Sequence, residues 1–102
     1  MAQFDVYRNP SGGAYPLLLD VQADLLSQLA TRVVVPLAPR NRYQSTPITR
    51  ASPVATINGV EYVLVVPLLA AVSKASFENP VGSLALRRVD VIAALDLVFT
   101  GS

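Results

Sequence analysis

The sequence predicts an α+β fold that is mainly β: five to seven antiparallel strands closed by one C-terminal helix. Three observations carry this expectation. Asn58-Gly59 stands between two runs rich in β-branched residues, the pattern of a two-residue hairpin. The other strand-like runs are short and separated by Pro, Gly and Asn. Residues 84–99 contain no Pro or Gly and repeat apolar side chains at three- and four-residue steps, the period of a helix.

Residues 3–8 alternate, with Phe4 and Val6 on one face and Asp5 and Tyr7 on the other, as in a half-buried strand. Asn9-Pro10-Ser11-Gly12-Gly13 interrupts it, because proline lacks a ladder donor and glycine admits positive φ. A second strand over residues 15–21 completes a hairpin with a long, mobile tip. In residues 20–29, Leu25, Leu26 and Leu29 have helical spacing over a stretch too short to establish a helix. Residues 31–37 are dense in β-branched side chains and read as a central strand until Pro36 ends pairing on both sides. Residues 38–52 read as a surface excursion carrying Arg40, Arg42 and Arg50.

The Asn-Gly hairpin joins residues 54–57 to 60–66, and Pro67 ends its second strand. Residues 68–77 read as one strand or two short ones, and residues 78–82 as a turn. Ser83 is placed as the N-cap of the helix over residues 84–99, with Val89, Ile92, Leu95 and Phe99 on a face that packs on the sheet or on a partner. Gly101 stands where a left-handed cap is expected.

The length of 102 residues suits one domain with one core. Hydrophobic residues make up 52% and charged residues 15%, well below the roughly 25% of an ordinary soluble domain, so some apolar surface calls for a cover. A two-fold homodimer is the simplest cover, since it buries one patch twice. Met1 to Asp5 lacks the order of a signal peptide, and the longest apolar run, residues 62–72, is about half a membrane span and contains Pro67. A soluble, cytoplasmic chain without membrane contact is expected. Net charge is +1 and the eight Lys and Arg are scattered, which lacks the electrostatic footprint of a nucleic-acid binder.

Cys, His and Trp are absent, so thiolate nucleophiles, Cys/His metal sites, disulfides and the commonest general base are excluded. Asp20 and Asp24 could be posed as a carboxylate pair, but a strand-end Asp and a turn Asp is the plainer reading. Asp90 and Asp96 lie on different faces of the last helix. Gly12-Gly13 opens no helix and so forms no phosphate cradle. Neither a catalytic constellation nor a cofactor or metal site emerges.

The order of segments resembles the CcdB family. The opening Gln3-Phe4-x-Val6-Tyr7, the stretch from Tyr15-Pro16 through Leu19-Asp20-Val21-Gln22-Ala23-Asp24-Leu25-Leu26, the strand Thr31-Arg32-Val33-Val34-Val35-Pro36-Leu37 and the ending Leu97-Val98-Phe99-Thr100-Gly101 carry the resemblance, which spans residues 2–102. It implies an SH3-like barrel with a small added sheet and a C-terminal helix, in a two-fold dimer of bacterial origin. It also implies a toxin of a type II toxin–antitoxin pair that binds the DNA gyrase A subunit and traps gyrase on cleaved DNA. A CcdA-like antitoxin removes it, and DNA is met only at an operator together with that antitoxin.

Such a topoisomerase poison is not an enzyme. Specific binding suffices to arrest a machine with two states. Carried over by position, the gyrase contacts fall on Ala23, Leu25, Asp96, Phe99, Thr100, Gly101 and Ser102. The sequence departs from the family pattern at two of these: a tryptophan is expected where Thr100 stands and an aliphatic residue where Ser102 stands. The alternative is an endoribonuclease of the MazF type on the same fold, for which Arg32 beside Thr31 is the nominee. The plainer reading of Arg32 is a salt-bridge arginine at a strand edge.

Overall fold

The computed structural model describes residues 1–43 and 50–101. Seven strands occur among them: β1 (Asp5–Arg8), β2 (Leu17–Asp20), β3 (Thr31–Pro39), β4 (Val54–Ile57), β5 (Val60–Leu64), β6 (Ala70–Ser73) and β7 (Gly82–Ser83). One helix, α1 (Arg88–Thr100), follows. The strands form one antiparallel sheet in the order β4-β5-β3-β2-β1-β7, with β6 beside β3. The sheet curls until its two edge strands meet. Asn58 Nδ2 donates to the Val81 carbonyl at 3.3 Å, Arg87 Nη2 donates to the Val54 carbonyl at 3.1 Å, and Gly82 lies against Ile57. The result is a nearly closed barrel with a C-terminal helix.

β3 organises the sheet. One of its edges carries β2 from Val34 to Leu37, while the other carries β6 along residues 31–34 and β5 along residues 37–39. Pro36 therefore does not end the strand, contrary to the sequence expectation. The N–H and C=O of one strand residue face the same edge, and the Pro36 carbonyl accepts from Val65 N at 3.0 Å. Its missing donor thus faces the gap where the neighbour changes from β6 to β5, and the β2 ladder loses nothing.

Side chains alternate about this sheet as the period of two requires. Val6, Leu17, Leu19, Val35, Leu37, Ala55, Ile57, Leu64 and Val66 line the core, which Val91 and Ala94 of α1 close. All four residues of β2 are buried, because Leu18 and Asp20 on its other face are covered as well. Tyr7, expected on an outer face, is buried beneath Phe77, with ring centroids 5.2 Å apart.

The hairpin signals hold. Asn58 (φ 52°) and Gly59 (φ 80°) both have the positive φ of a type I′ turn. The β1–β2 tip is tied by Asn9, whose Oδ1 accepts from Ser11 N at 3.0 Å and whose Nδ2 donates to the Tyr15 carbonyl at 2.7 Å.

The remaining segments take the following forms. Residues 21–29, too short to establish a helix from sequence, contain a 3₁₀ turn at Asp24–Leu26, and Leu25, Leu26 and Leu29 are exposed. The excursion over residues 38–52 includes residues 44–49, outside the described ones, and it re-enters the interior at Ala51 and Ser52, both buried. Residues 68–77 give β6 and a 3₁₀ turn at Lys74–Ser76.

The helix begins at Arg88, not Leu84. Ser83 Oγ accepts from Ala85 N at 3.2 Å and so steadies a 3₁₀ turn at Ala85–Arg87 instead of capping an α-helix. Its buried line is Val91 and Ala94, flanked by half-buried Ile92, Leu95 and Val98, while Val89 and Phe99 of the predicted face are 79% and 68% exposed. Apolar residues nearly surround α1, so periodicity could not choose the packed side.

Candidate functional site at the end of the helix and the turn after the second strand

The last turn of α1 presents the first group of candidate residues. Gly101 terminates it in the left-handed region (φ 76°) and donates its N–H to the Leu97 carbonyl at 3.0 Å. Thr100 Oγ1 donates back to the Asp96 carbonyl at 2.7 Å. Asp96, Phe99, Thr100 and Gly101 are all exposed, whereas Ser102 lies outside the described residues. A helix whose opposite side is buried in the barrel thus holds an aromatic ring and a polar end against solvent.

The second group, Ala23 and Leu25, sits on the 3₁₀ turn after β2, with Leu25 93% exposed. A buried polar platform supports that turn. Arg32 donates from Nε and Nη2 to Asp20 Oδ2 at 2.9 and 2.6 Å. Asp20 Oδ1 accepts from Gln22 N at 3.0 Å. Gln22 then joins the platform to the turn and to β3: its Nε2 donates to the Leu26 carbonyl at 2.9 Å, and its Oε1 accepts from Val33 N at 3.1 Å. Burial is the leading influence on the Asp20 carboxyl and pushes it above the ordinary carboxylate range, against the opposing pull of Arg32 and of the Gln22 N–H. Burial also leads in raising the Tyr7 phenol, helped by Asp5 and Asp20.

Gln3 fastens the turn from above. Its N–H donates to Asp24 Oδ1 at 2.8 Å and its Nε2 to the Val21 carbonyl at 3.2 Å. Arg88 reaches the same side chain, with Nη1 3.5 Å from Gln3 Oε1 and its guanidinium 5.5 Å above the Phe4 ring. Phe4 is itself held at φ 72°, an uncommon conformation for a bulky residue. Its amide donates to the Asp20 carbonyl at 2.6 Å and its carbonyl accepts from Leu84 N at 2.8 Å.

Asp96 to Gly101 therefore form one surface and Ala23 with Leu25 another. The bonds that connect the turn to α1 reach its first residue, about 12 Å along the axis from Asp96. Sequence reasoning missed Gln3 and Gln22 as supports, while the salt-bridge reading of Arg32 holds, with Asp20 as its partner. The alternation Asp20-x-Gln22-x-Asp24 was the available signal, since polar residues at a period of two share a side.

Arg32, the ribonuclease nominee, is completely buried, near the start of β3 and paired with Val72 of β6. Asp20 and Asp24 do not act as a free pair, because Arg32 Nη2 lies 2.6 Å from one and 3.9 Å from the other. No group of three His, Cys, Asp or Glu among the described residues could hold a metal ion, and no described helix is long and apolar enough to cross a membrane.

Residues 3–101 match the CcdB protein family. Among solved structures, one similar chain is an endoribonuclease in complex with its cognate antitoxin from mycobacterial species. Its TM-score is 0.72 at 19% identity, covering 96% of this chain and 93% of that one. At that identity the likeness concerns the fold alone. The family match extends over nearly the whole length, through the platform motif and the helix end, and the chain accordingly belongs to the CcdB family of toxins from toxin–antitoxin systems.

Proposed function

We propose that this protein is a cytoplasmic toxin that binds the DNA gyrase A subunit as a homodimer, traps gyrase on cleaved DNA and is removed by a CcdA-like antitoxin. The observation that carries the reading is the exposed final turn of α1, with Phe99 68% exposed beside Thr100 and Gly101, on a helix anchored through Val91 and Ala94. Leu25, 93% exposed on the separate turn after β2, offers a second apolar contact. Family membership supports toxin action and an antitoxin partner, and the burial of Arg32 weighs against its use on RNA.

The test is a supercoiling and DNA-cleavage assay with purified gyrase, beside an assay on a defined RNA. Inhibition with accumulation of cleaved DNA is expected. Specific RNA cleavage with gyrase unaffected would transfer the case to the endoribonuclease reading.

A further inference from the structure

The loop that joins β2 to β3 shows its leucines to solvent. Leu25, Leu26 and Leu29 are 93%, 48% and 50% exposed, and no residue over 23–30 is buried. Left to the hydrophobic effect, three leucines on a short loop fold onto one another or onto the barrel. Their exposure therefore requires a backbone held from outside the loop. On the side of the buried platform, Gln3 N donates to Asp24 Oδ1 and Gln22 Nε2 to the Leu26 carbonyl.

Lys74 holds the other end. The ladder between β3 and β6 ends at Thr31 and Ser73, and Lys74 extends it by one bond, its N–H donating to the Ala30 carbonyl at 2.9 Å. Its backbone is thereby fixed against the loop. From there the side chain reaches back to the end of the 3₁₀ turn, where Nζ donates to the Ser27 carbonyl at 2.8 Å, joining residues 47 apart in sequence. A charged donor makes a stronger bond than a neutral one. We infer that Lys74 is a positioning residue for target binding: by fixing Ser27 and Ala30 it keeps the loop in the form that presents Leu25 outward before a partner arrives. A loop ordered in advance carries no ordering cost on association. The inference rests on the reading of Leu25 as a gyrase contact and adds the residue that holds it.

Calorimetry of the full chain against a gyrase A fragment, together with amide hydrogen exchange, tests it in Lys74→Met, Lys74→Arg, Leu25→Ala and the double variant of Lys74→Met with Leu25→Ala. Lys74→Met keeps an unbranched stem and loses the donor. It is expected to speed exchange of the Leu26, Ser27 and Leu29 amides, which donate within the loop, by about five-fold or more, with the amides of β3 and the thermal midpoint unchanged. Affinity should fall about three- to ten-fold, and Lys74→Arg should return it to within about two-fold of the parent. In the Leu25→Ala background, Lys74→Met should bring no further loss, a coupling that a merely structural role does not produce. Unchanged loop exchange in Lys74→Met overturns the inference, as does faster exchange with affinity unaltered, or a loss that adds in full to that of Leu25→Ala. If Leu25→Ala binds as the parent does, the positioning role falls and the gyrase reading stands. A parent that does not bind the fragment overturns the gyrase reading and this role with it.

Discussion

Arg32 and Asp20 form an ion pair with both side chains fully removed from solvent, two guanidinium nitrogens converging on a single carboxylate oxygen at 2.9 and 2.6 Å. Arg32 Nη1 is buried as well and has no hydrogen-bond partner among the described residues. Removing one member strands the other's charge, whereas removing both leaves a site that hydrophobic residues can fill. Asp20→Ala is expected to cost about 3–5 kcal/mol, and Asp20→Leu with Arg32→Met to recover most of it. Urea unfolding of Asp20→Leu, Arg32→Met, the double variant and the parent measures the coupling; a double variant that loses as much as the two single ones together would refute it.

The same carboxyl makes a prediction about pH. Its folded pKa is raised, so its contribution to stability is fully present below the unfolded value, about 3.9, and is lost as pH rises through the folded value. Asp20 therefore opposes acid unfolding instead of driving it. Stability measured from pH 3 to 7 should fall less steeply with rising pH, or rise more steeply, in Asp20→Asn than in the parent. A slope shifted the other way would mean that Arg32 outweighs burial.

Deleting residues 100–102 should leave the far-UV spectrum and thermal midpoint nearly unchanged, since Thr100 and Gly101 are exposed. Calorimetry against a gyrase A fragment should then show binding sharply reduced. Unchanged inhibition by the folded, truncated chain would move the contact surface elsewhere.

Thr100→Trp tests the same surface by gain. A ring on this exposed turn can stack on an arginine, and at 0.5–1.5 kcal/mol for each of two sites the affinity for gyrase should rise by a factor of about five to a hundred. The measurement is the same calorimetric titration, with thermal unfolding as the control for fold.

Barrel closure is open to test at Gly82, where an added Cβ would stand 3.2 Å from Ile57 Cγ2. Gly82→Ala should cost about 1 kcal/mol by overpacking, and Gly82→Ala with Ile57→Val should not recover it, since valine keeps the crowding methyl. A neutral Gly82→Ala would indicate that the edge strands separate easily.

Much was legible locally. Asn58-Gly59 specified its turn through positive φ, Gly101 ended the helix, and alternation in residues 3–8 placed Phe4 and Val6 inward. These are properties of a few adjacent residues, set by backbone sterics and side-chain period. The candidate residues at the helix end were legible through family resemblance, because their spacing carries no chemistry of its own.

What the sequence determined by itself was the mainly β composition, the hairpin, the single C-terminal helix and a chain without His or Cys. Only the tertiary structure decided that β3 continues through Pro36, because the direction of the missing donor depends on which neighbour lies at each edge. It also decided which side of α1 is buried, since a helix apolar nearly all round has no preferred face until a barrel is laid against it. And it decided the role of Arg32: twelve residues separate it from Asp20 along the chain, and pairing β2 with β3 brings the two charges together and shuts them from water.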